Sequence, residues 1–94
     1  MTYEQFQASL AGDDPPAGLS PAARALWLDG KGKWGEAHDL ASDIEGRDGA
    51  SIHAYLHRKE GDLDNARYWY GEASRSPATG SLDAEWQALA REYL

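Results

Sequence analysis

Residues 32–41 and 61–70 are two versions of one pattern. Gly32-Lys33-Trp34-Gly35-Glu36-Ala37 aligns with Gly61-Asp62-Leu63-Asp64-Asn65-Ala66, an offset of 29 residues. The same offset pairs Ala25 with Ala54 and Leu26 with Tyr55. Each unit reads as a helix, a glycine-marked turn and a second helix. The small residues Ala25 and Ala54 let the second helix approach the first, and Ala37 and Ala66 face them across the turn. A two-helix unit cannot cover its own apolar face, so such units stack on each other and need caps at the ends.

Local signals supply those caps. Thr2 and Gln5 have the spacing of a capping box, and Tyr3, Phe6 and Leu10 follow at helical spacing. The segment Gly12-Asp13-Asp14-Pro15-Pro16-Ala17-Gly18-Leu19 breaks this helix. Ser20-Pro21 starts the next, with serine at the N-cap and proline at the first helical position. Further helices are expected over about 34–45, 50–60 and 63–75, with Gly46-Arg47-Asp48-Gly49 read as a stop between the first two. Ser81 caps a last one, whose stripe is Leu82, Trp86, Leu89 and Tyr93. The chain has no valine and no strand-like alternation. The expectation is one all-α domain of about six helices: an N-terminal cap over 1–12, a loop over 13–19, repeat units over 20–46 and 47–77, and a C-terminal cap over 81–94. Ala25, Ala37, Ala54, Ala66, Trp69, Tyr70 and Trp86 are expected in its core.

A chain of 94 residues has a modest core, and four Trp and five Tyr compensate for its size. No cysteine is present, which excludes disulfides and thiolate metal sites and fits a reducing cytoplasm. The start Met1-Thr2-Tyr3-Glu4 lacks a basic stretch before an apolar run, so no signal peptide is expected. The net charge of −7 disfavours nucleic acid and anionic membrane surfaces as partners.

The stretch Ala54-Tyr55-Leu56 followed by Gly61-Asp62-Leu63-Asp64-Asn65-Ala66-Arg67-Tyr68-Trp69-Tyr70-Gly71-Glu72-Ala73 resembles a tetratricopeptide repeat. Ala66, Trp69, Tyr70 and Ala73 bring it closer to the Sel1-like subgroup. The likeness spans roughly 21–77 and is weaker in the first unit, where Leu40 and Ala41 replace the aromatic pair. It implies a protein- or peptide-binding groove lined by the first helix of each unit.

Three groups of residues could carry function. Tyr55, Arg58 and Lys59 join an aromatic ring to the densest basic spot, and on the repeat arrangement they face the open groove, where they could hold a carboxylate. The alternative is a solvated pair neutralised by Glu60, Asp62 or Asp64. His53 and His57, at i and i+4, share a helix face and could hold a metal, with His38 approaching from the preceding helix. Their plainer reading is packing with the ring nitrogens satisfied by hydrogen bonds, since zinc needs three or four ligands and no H-E-x-x-H motif occurs. Glu36, Asp39 and Asp43 form an acidic stripe that reads as a solvated face. No nucleophile elbow, P-loop or dinucleotide motif is present. The leading expectation is therefore a non-catalytic, cofactor-free interaction or scaffold module, monomeric with a dimer as the competing state. The alternative is a small metal-binding protein using His53 and His57.

Overall fold

The computed structural model describes residues 1–94 and contains six helices and no strand. They are α1 (Tyr3–Ser9), α2 (Pro21–Gly30), α3 (Trp34–Ser42), α4 (Gly46–Glu60), α5 (Leu63–Glu72) and α6 (Leu82–Tyr93). No helix is long and apolar enough to cross a membrane.

The starts follow the caps written in the sequence. Thr2 and Gln5 form a reciprocal capping box, and Ser20, Asp62 and Ser81 each accept a backbone N–H in the first turn of α2, α5 and α6. Two helical hairpins result, α2–α3 and α4–α5. Their turns use Gly32 and Gly61 at φ 78° and 90°, a left-handed conformation that residues with a Cβ avoid.

One boundary departs from expectation. Gly46-Arg47-Asp48-Gly49 opens α4 instead of separating two helices. Gly49 sits where a Cβ would collide with the backbone carbonyl of Ile44. The glycine thus permits the chain entering α4 to fold tightly over its first turn, an advantage that local breaker statistics do not register.

α6 packs across α2 and α4, and α1 closes on α6. Trp86 joins them: its ring stacks on Phe6 at 5.7 Å and meets Tyr3 edge-on at 6.4 Å. Its indole N–H donates to the Leu26 carbonyl at 2.9 Å. Trp27, Phe6, Leu26, Ile52 and Leu56 are fully buried in this core. Ala54, Ala66 and Tyr70 form a smaller cluster between α4 and α5, with Trp69 only partly buried against it. The other residues expected in the core are buried. The end helices thus cap the hairpins from within the chain.

Candidate functional site: a three-histidine cluster

α4 carries the candidate residues on two faces. His53 and His57 lie one turn apart, whereas Tyr55 lies two residues from each, about 200° round the helix. The Tyr55 side meets α2 and α6; the histidine side meets α3 and α5.

On the Tyr55 side a shallow pocket is lined by Tyr55, Lys59, Asp29 and Trp86 among others, but the polar groups of the first three are engaged within the chain. Tyr55 is 2% exposed, and its hydroxyl donates to Asp29 Oδ2 at 2.8 Å. Lys59 Nζ donates to the other Asp29 oxygen at 2.9 Å. Arg58 donates to Glu85 Oε1 at 3.0 Å and to the Gly80 carbonyl. Glu85 also accepts the Tyr70 hydroxyl at 2.6 Å. Burial first, and then the neighbouring carboxylates, push both tyrosine hydroxyls far above their ordinary pKa, so they remain donors. The reading of Tyr55, Arg58 and Lys59 as a solvent-open partner site is therefore corrected. They tie α4 to α2 and α6, and their acids come from distant Asp29 and Glu85 in place of Glu60, Asp62 or Asp64. The physical reason is that α6 lies over the face that the repeat pattern leaves open.

The histidine side gathers what the sequence left apart. α3 runs antiparallel to α4, as two contacts fix: Trp34 Nε1 donates to the Leu56 carbonyl at 2.9 Å, and Ser42 Oγ lies 3.5 Å from His53 Nε2. His38, midway between Trp34 and Ser42, is thereby brought to the α4 pair. His38, His53 and His57 each offer a nitrogen within 4.8 Å of the others. The ring centroids of His38 lie 4.9 Å from His53 and 5.2 Å from His57.

Aromatic rings and one carboxylate hold the cluster in shape. Trp34 stacks on His38 at 5.0 Å and Trp69 on His53 at 4.2 Å. His57 Nδ1 donates to Glu60 Oε2 at 2.6 Å, which leaves Nε2 as its acceptor nitrogen. The Asn65 amide lies 3.4 Å from that nitrogen. His53 and His57 are buried, while His38 is half-buried.

The expectation that these nitrogens are satisfied by hydrogen bonds fails at one point. His53 Nδ1 is buried and has no partner, a situation that costs roughly 1–3 kcal/mol in a folded protein. Burial, reinforced by the charges of His38 and His57, lowers the His53 pKa from 6.5 to about 4. It is therefore neutral at pH 7, the form in which imidazole binds metals.

Asn65, Trp34, Trp69 and Glu60 were not singled out as site residues. The i, i+3 spacing of His57 and Glu60 was the available signal. The acidic stripe Glu36, Asp39 and Asp43 is exposed, and Glu36 makes only a 3.9 Å contact with Lys33. Comparison of the chain with known protein families, characterised proteins and solved structures gives no match.

Proposed function

We propose that this protein is a small helical module that binds a divalent transition-metal ion through His38, His53 and His57. The observation that carries this reading is the convergence of three imidazole nitrogens within 4.8 Å in a partly buried cluster. In a tetrahedral zinc site with Zn–N bonds of about 2.0–2.1 Å, ligand nitrogens stand roughly 3.3–3.4 Å apart. The cluster must close by at most about 1.5 Å at its widest pair, which small rotations of the imidazole side chains can supply. Glu60 supports the reading because metal-binding histidines usually donate their other N–H to a carboxylate, which orients the ring and raises its basicity. All-imidazole donors suit zinc, nickel, cobalt and copper(II) better than calcium or magnesium. Binding to a peptide through Tyr55, Arg58 and Lys59 has no comparable support, because those groups are engaged within the chain.

Zinc should raise the melting temperature of the protein in a saturable manner, with one ion bound per chain at micromolar affinity or tighter, because a ligand that binds only the folded state stabilises it. His57→Ala should abolish the rise, and His38→Ala, at a half-buried position, should do so while leaving the helical circular dichroism intact. Calorimetric titration of the three proteins is the check. Equal zinc binding by wild type and His38→Ala would refute the three-histidine site.

A further inference from the structure

The three imidazoles leave one side of a bound ion without a protein donor. Glu60 is committed to His57 Nδ1 at 2.6 Å. The two nitrogens of an imidazole point away from each other, so an ion on His57 Nε2 lies on the side of the ring turned from Glu60. Asp62 accepts the Asn65 backbone N–H at 3.3 Å as the cap of α5. The Ser42 hydroxyl donates to the His38 carbonyl at 3.0 Å. The chain has no cysteine. No fourth His, Asp or Glu offers a ligand atom within 4.8 Å of all three imidazoles.

The cluster nevertheless reaches solvent, because His38 is only half-buried. His53, though neither His38 nor His57, also lines a cavity of about 260 Å³, together with Ser42, Arg47, Trp69 and Glu72. A water molecule occupies about 30 Å³ of the liquid, so this space holds a small ion with some hydration. His38, at the outer edge of the cluster, is half-buried. Zinc sites with three protein ligands characteristically keep the fourth position for water or substrate, whereas structural sites are closed by four. Three neutral imidazoles leave the charge of a divalent ion uncompensated, and the ion's own charge then dominates what is attracted to that position.

We infer that an ion held by His38, His53 and His57 keeps an exchangeable fourth coordination position, reached from solvent past the half-buried His38, that takes water or a small anion. This rests on the three-histidine reading above and adds to it that the site is chemically open.

Cobalt(II) followed by azide separates the two levels of the claim. Cobalt is titrated into the full chain, and its visible ligand-field bands are recorded with and without added sodium azide. The expected result is a set of intense bands typical of four-coordinate cobalt that saturates at one ion per chain, then shifts saturably as azide displaces water. His38→Gln should lose the intense bands while retaining its helical circular dichroism. Intense bands that ignore millimolar azide would mean that a protein group closes the fourth position, and the inference would be overturned with the metal site intact. Absence of those bands from the folded wild-type protein would overturn the three-histidine reading itself and this inference with it.

Discussion

Trp86→Ala should lower the stability of the fold by about 3–5 kcal/mol, the usual cost of emptying a buried tryptophan site. Trp86 is 9% exposed and fills the junction of α1, α2 and α6. Its ring contacts Phe6 and Tyr3, and removing its N–H leaves the Leu26 carbonyl without that donor. A Cβ on Gly30 would stand 3.2 Å from the Trp86 ring, so the ring fits closely against α2 and the gap cannot collapse easily. Domains of this size are stable by roughly 5–15 kcal/mol, so the loss consumes a large share of the total. Urea unfolding followed by circular dichroism measures it as a drop in midpoint at unchanged slope. A loss below about 1 kcal/mol would mean that the end helices do not seal the core. If the variant also changed the sedimentation of the protein from dimer to monomer, the cap would be an interface between chains instead.

The metal-free protein should lose stability as pH falls from 6.5 towards 4, and His53 should account for much of it. Its folded pKa is lowered to about 4, first by burial and then by His38 and His57. In the unfolded chain it returns to about 6.5. Below that value the unfolded state takes up a proton that the folded state refuses, so acid favours unfolding; the penalty stops growing once pH passes the folded pKa. The full penalty is on the order of 3 kcal/mol. His53→Gln cannot titrate, so its stability should fall less steeply over the same range, whatever it loses by giving up the Trp69 stack. Equal slopes for the two proteins would show that His53 is not held neutral by its surroundings.

The helices were legible because their signals are local. Thr2 with Gln5, Ser20 with Pro21, and the capping residues Asp62 and Ser81 act within one turn of themselves, so reading them needs no knowledge of the fold. Gly46 to Gly49 was misread because its role depends on the carbonyl of Ile44 passing close to Gly49, a packing fact that breaker rules do not contain. The groove was misread for a longer-range reason. Tyr55 finds its partner in Asp29 and Arg58 finds its partner in Glu85, 26 and 27 residues away. Local charge patterns offered nearer acids that the side chains do not use.

The histidine site was half legible. His53 and His57 share a face by helix periodicity alone. The arrival of His38 depends on the antiparallel register of α3 against α4, which Trp34 and Ser42 fix through Leu56 and His53. The residues that shape the cluster come from three helices: Trp34 from α3, Glu60 from α4, and Asn65 and Trp69 from α5. α4 separates two sets of contacts by its geometry, ion pairs and hydrogen bonds to α2 and α6 on the Tyr55 side and the histidine cluster on the other.

X-ray absorption at the zinc edge of the one-to-one complex tests the central claim most directly. The account predicts three imidazole nitrogens at about 2.0–2.1 Å, with the multiple-scattering signature of histidine, and one light oxygen ligand from solvent. A shell dominated by carboxylate oxygen, or one that keeps three imidazoles after His38→Ala, would contradict it.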